Sequence, residues 1–176
     1  MKTIKMINNP FSLAAISFVT WALGGSLLLA GDTNQTQSVK LMPGWELADL
    51  DGKTVHSTDF KGRVVVLDFW ATWCPPCRAG VPDFIELQKK YADQGLTVIG
   101  VSVDQAGLKT VKSFAEKNGI NYPVVLADNK IVDAFGGIDG LPTTFIIDRN
   151  GNVVKQHLGF TQPATIEKEI KALLAP

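Results

Sequence analysis

Cysteine is almost missing from this chain of 176 residues: there are two, Cys74 and Cys77, three positions apart. So few cannot form the disulfide framework that holds small secreted domains together. A structural zinc site would need two further ligands, and the two histidines, His56 and His157, are unpaired in sequence. No charge of one sign is in excess either. Lys+Arg total 17 and Asp+Glu total 17, so no overall field draws the chain to nucleic acid or to anionic lipid. Internal repeats are lacking, and residues 11–30 carry no charge at all.

That uncharged stretch is rich in Leu, Ala, Ile, Val and Phe and follows Lys2 and Lys5. As a helix rising ~1.5 Å per residue it reaches about 30 Å, the thickness of a bilayer's hydrocarbon core. Lysines before it and none within it keep the N-terminus inside and send the rest outward. Either a signal peptide or an uncleaved anchor has this form. Leu28-Leu29-Ala30 puts a large residue where a cleavage site needs a small one. Cleavage after Ala22-Leu23-Gly24 would leave Leu27 to Leu29 bare, and Asp32 stands where a lipoprotein box needs cysteine. The uncleaved anchor is therefore the preferred reading and the cleaved signal the alternative. Residues 1–31 read as that segment, 32–40 as a polar linker, and 41–176 as a folded body. An extracytoplasmic location, on the outer face of the membrane or in a periplasm, follows, and disulfides persist there.

The body has a globular composition, with 45% hydrophobic and 19% charged residues over the chain. Roughly 135 residues bury about two-thirds of their unfolded surface, enough for a core without staples. Asp51-Gly52, between short apolar stretches, predicts a hairpin turn. Residues 63–70 form a nearly unbroken β-branched run, as in a strand covered on both faces. Cys77, Val81, Phe84, Leu87 and Tyr91 recur at helical spacing, in a helix that Pro82 should kink. Residues 96–103 read as a second buried strand and 108–118 as a helix closed by Gly119. A short strand over 122–126 and a short helix over 131–135 follow. Strands at 143–147 and 153–158 flank the hairpin signal Asn150-Gly151, and 166–174 predict a last helix. This order describes an α/β fold with a mixed sheet flanked by helices.

Disulfide exchange needs a thiolate that attacks and a second thiol that resolves the mixed disulfide. Cys74-Pro75-Pro76-Cys77 at the start of a helix meets both needs. The positive helix end lowers the first thiol's pKa, and the spacing permits ring closure. Cys74 is then the exposed attacker and Cys77 the resolver, while Pro76 fixes the helix start without losing a hydrogen bond. Arg78 follows Cys77, so the pair is not a haem-attachment motif. The redox pair itself is expected to carry the electrons, with no cofactor and no metal.

With these residues in place, the stretch from Phe69 to Cys77 resembles the active site of thioredoxin-like proteins. Leu141-Pro142-Thr143-Thr144 resembles their loop with a cis-proline facing the cysteines. Leu50-Asp51-Gly52-Lys53, Val101-Ser102-Val103-Asp104 and Tyr122-Pro123 place the chain nearest the redoxin branch of TlpA/ResA-type extracytoplasmic proteins. The likeness implies a thioredoxin fold with an N-terminal β-hairpin and a central helix–strand insertion. It also implies substrate contacts at Trp73, Pro76, Leu141 and Pro142. The implied task is reducing disulfides in exported proteins, apocytochrome c among them, with a membrane thiol donor as the second partner.

Two departures stand out. Many relatives carry Glu three residues after the second cysteine, where this chain has Gly80, a helix-interior glycine costing up to ~1 kcal/mol. Asp68 matches the buried Asp of ordinary thioredoxins, but the position of their neighbouring Lys falls on Gly100. A carboxylate buried without that cation has a raised pKa, which makes Asp68 the candidate acid/base for Cys77. The alternative is an Asp that bonds backbone amides at a strand end. Trp70 and Trp73 pack beside the site or belong to the plain core. His56 and His157 read as ordinary surface or sheet residues, and Asp104 as a loop or capping residue. Two rival functions share the fold. A peroxiredoxin-like peroxidase needs Thr three positions before its cysteine, where Ala71 stands; a copper carrier needs its cysteines four apart and a dedicated histidine.

Overall fold

The computed structural model describes residues 40–175. The expected anchor and residues 32–39 of the expected linker lie outside them. Among the described residues no helix is long and apolar enough to cross a membrane.

A hairpin comes early, from β2 (Glu46–Ala48) and β3 (Thr54–His56), after a two-residue strand β1 (Lys40–Leu41). Its turn holds Gly52 at φ 78°, as the Asp-Gly signal requires. The centre of the molecule is β4 (Val64–Trp70), in which every residue is buried. It pairs in parallel with β5 (Leu96–Ser102) and antiparallel with β7 (Thr143–Ile147). The full sheet has the order β1-β8-β7-β4-β5-β6, with β6 at Val124–Leu126 and β8 at Asn152–Leu158.

Period-2 alternation along β4 sends Val64, Val66 and Trp70 to one face and Val65, Leu67 and Phe69 to the other. The first set meets α1 (Pro75–Tyr91), α2 (Leu108–Asn118) and α4 (Pro163–Leu174); the second meets α3 (Asn129–Ala134) and the hairpin. Each such side chain, fully buried, contributes roughly 1.5–3 kcal/mol. Asp68 stands on the first face, between Val66 and Trp70, and its burial there follows from its parity.

Of the boundaries that differ from expectation, three have clear local reasons. β6 starts at Val124 because Pro123 has no N–H for the ladder, although its carbonyl accepts from Gly100 N at 2.9 Å. α3 starts two residues early because Asp128 caps it, accepting from Ile131 N at 2.9 Å. α4 starts at Pro163, a residue suited to a first helical turn. α2 ends where expected, with Gly119 at φ 65°. Pro82 lies inside α1, which continues through it to Tyr91.

Candidate active site

Helix α1 begins at the cysteines. Cys74 is its N-cap, and Pro75 and Pro76 occupy the first turn, where amides lack helical partners anyway. The first amide free to turn back is that of Cys77, which donates to Cys74 Sγ at 3.3 Å. The two sulfurs form a disulfide, with Cα atoms 5.3 Å apart. Cys74 is 3% exposed and Cys77 4%. The expectation of an exposed Cys74 is thus corrected. In the disulfide each sulfur covers the other, and both residues pack into the core cluster with Trp70 and Ala71.

The cysteines do differ in what they face. A cavity of about 30 Å³ is bounded by Cys77, Asp68, Gly80, Asp83, Pro142 and Phe160, but not by Cys74. Asp68 is 5% exposed, and Thr144 Oγ1 donates to its Oδ1 at 2.7 Å. Among the described residues this hydroxyl, not a backbone amide, is the hydrogen-bond partner of its side chain. Burial pushes the Asp68 carboxyl up to about 7, against a smaller lowering by the Thr144 bond. No lysine neutralises it from β5: Asp68 pairs in register with Gly100, as expected. A Cβ at Gly100 would lie 2.8 Å from Trp70 Nε1, so the indole occupies the room a side chain would need. At Gly80, by contrast, a Cβ would meet only Phe84 Cε2, at 3.9 Å.

The Leu141–Pro142 peptide is cis, and Pro142 lines the same cavity as Cys77. Gly159 N donates to the Pro142 carbonyl at 2.7 Å, tying the loop to the end of β8. Leu141 packs at the margin of both core clusters, and Pro76 is exposed. The two tryptophans part company. Trp70 is buried against Phe114, whereas Trp73, next to Cys74, is 65% exposed and lies outside the core. His56 and His157 pair with Glu46 and Glu169, at 3.5 and 2.8 Å. Asp104, expected as a loop or capping residue, lies just past β5 and does cap a turn. It accepts from Thr72 N at 2.9 Å and Ser102 Oγ at 2.8 Å, and from the Thr72 hydroxyl, so it holds the turn leading into Cys74. Phe160, 46% exposed, also lines the cavity, and no local pattern in the sequence marks it.

A lone dithiol at a helix start, on a mixed sheet beside a cis-proline, defines a thiol–disulfide oxidoreductase of the thioredoxin-like class. The chain belongs to the redoxin family, which its residues 30–174 match. It is 32% identical over 165 residues to the thiol-disulfide oxidoreductase ResA of Bacillus thuringiensis (strain Al Hakam), covering 93% of this chain and 95% of that one. Among solved structures it resembles a thiol:disulfide interchange protein of Chlorobium tepidum TLS, with TM-score 0.72, 37% identity and coverage of 78% and 97%. A secreted thiol-disulfide isomerase of Corynebacterium glutamicum is similar at TM-score 0.70 and 25% identity, covering 76% of this chain and 84% of that one.

Proposed function

We propose that this protein reduces disulfides in exported proteins outside the cytoplasm, and that apocytochrome c before haem attachment is among its substrates. The observation that carries the reading is the Cys74–Cys77 disulfide at the α1 N-terminus, with Cys77 and Asp68 on one cavity. Cys74 attacks the substrate disulfide, Cys77 resolves the mixed disulfide, and Asp68 exchanges the Cys77 proton. Prolines 75 and 76 withhold two amides from Cys74 Sγ and leave it that of Cys77. Fewer donors stabilise the thiolate less, which favours a reducing protein. Substrate chains lie against Trp73, Pro76, Leu141 and Pro142. The dithiol carries the electrons without a cofactor, and a thiol donor in the membrane restores it. The uncharged segment at residues 11–30 supports export and anchoring.

The test is a pair of variants of the full-length protein, assayed by disulfide reduction in insulin. Cys74→Ser abolishes activity, whereas Cys77→Ser accumulates mixed disulfides through Cys74. Adducts that fail to form in the Cys77 variant overturn the assignment of roles.

A further inference from the structure

Asp68 is enclosed, and a proton it receives from Cys77 has to leave before the next turnover. Asp83, six residues into the active-site helix from Cys77, lines the cavity that Asp68 and Cys77 share. Asp83 also lines a shallow outer groove with Glu86, Leu87, Lys90, Pro163 and Glu167. Among the described residues it is the one acidic side chain common to both, so it stands where the inner cavity meets the surface. Gly80 lines the inner cavity without a side chain, and a Cβ there would meet only Phe84 Cε2, at 3.9 Å.

The charges facing Asp83 are few. On α1 they are Glu86 and Lys90, on α4 Glu167, and on β4 Asp68. Lys90 is taken by Glu167 at 2.6 Å. Burial raises the Asp83 carboxyl from its ordinary value, as it does that of Asp68. Two carboxyls of closer affinity pass a proton more readily than a mismatched pair.

We propose that Asp83 passes protons between bulk water and Asp68 across this cavity, acting through Asp68 and not on sulfur. The inference rests on Asp68 being the proton carrier. In the resolving step the Cys77 thiol gives its proton to the Asp68 carboxylate. The Cys77 thiolate then forms a bond to Cys74 Sγ, the Cys74–substrate bond breaks, and two electrons leave with the substrate thiolate. The proton on Asp68 moves through water in the cavity, whose volume of about 30 Å³ admits one, to Asp83 and out. Asp83 thus does from one turn further along α1 what a carboxylate at position 80 would do directly.

Stopped-flow tryptophan fluorescence of the full-length protein, over about pH 5 to 9, separates attack by Cys74 from resolution by Cys77. Asp83→Asn is expected to slow resolution about tenfold near pH 7 and leave attack unchanged. Added imidazole buffer, at constant ionic strength, restores the variant's rate and does not change the wild type. Gly80→Glu in the Asp83→Asn background restores it without buffer. Asp68→Asn slow with Asp83→Asn at the wild-type rate overturns the role of Asp83 alone. Asp68→Asn at the wild-type rate and pH profile overturns both. A slow Asp83→Asn that neither imidazole nor Gly80→Glu accelerates marks a structural loss, and this also overturns the relay.

Discussion

Asp68 is buried with one hydroxyl as its side-chain partner, and that burial keeps its carboxyl protonated to higher pH than usual. Below about pH 4 its carboxyl is protonated in both the folded and the unfolded chain. Between that pH and about 7 the unfolded chain releases the proton while the folded protein keeps it. The folded state then binds more protons, so stability falls as pH rises through this window and levels off above it. A rise from 3.8 to about 7 is roughly three units, or about 4 kcal/mol at ~1.4 kcal/mol each. Asp68→Asn has the same shape and nothing to ionise. The variant, compared with wild type as the oxidised protein, should be similar in stability at pH 4 and more stable by a few kcal/mol at pH 8. Urea midpoints at the two pH values measure this. A stability difference that does not change between them means the Asp68 carboxyl titrates normally.

At the scale of elements, the start of α1 is fixed from two sides. From within, two prolines set the first turn and Cys77 N turns back to Cys74. From outside, Asp104 at the end of β5 grips Thr72 through amide and hydroxyl, 32 positions away in sequence. The strand pairing delivers this grip, since β4 and β5 run parallel and end together. Asp104→Ala removes three accepted hydrogen bonds to part-buried donors. We expect a loss of about 1–3 kcal/mol and slower attack by Cys74, with Asp104→Asn intermediate. Urea denaturation together with the attack rate checks both. Unaltered values for the Ala variant mean that the turn holds itself.

For the whole molecule, place matters as much as chemistry. An exchange dithiol is useful where disulfides form, and residues 11–30, if they act as the proposed anchor or signal, would supply a route there. An uncleaved anchor predicts that protein beginning at Met1 partitions with membranes and resists carbonate extraction. A soluble protein whose mature N-terminus lies between Gly25 and Gly31 refutes the anchor and leaves the cleaved signal. The described residues account for the catalytic body. Of their two core clusters, one on each face of the sheet, the one built by α1, α2 and α4 includes the Cys74–Cys77 disulfide.

Much of this was legible along the chain because it is written in local periods and caps. The apolar run of β4, the helical spacing from Cys77 to Tyr91, Gly119 as a helix end and Gly52 in its turn each depend on nearby residues. So does the dithiol, whose spacing is its function. The register that sets Gly100 beside Asp68 could also be read, because two parallel apolar runs of equal length align in few ways. Tertiary structure decided the rest. Cys74 proves covered, Trp73 bare, Asp104 an anchor and Asp83 a link between cavity and surface. Exposure, a shared cavity wall and a long-range hydrogen bond are properties of neighbours brought together across tens of residues. No local period records which neighbours those are, so only the packed sheet and helices could assign them.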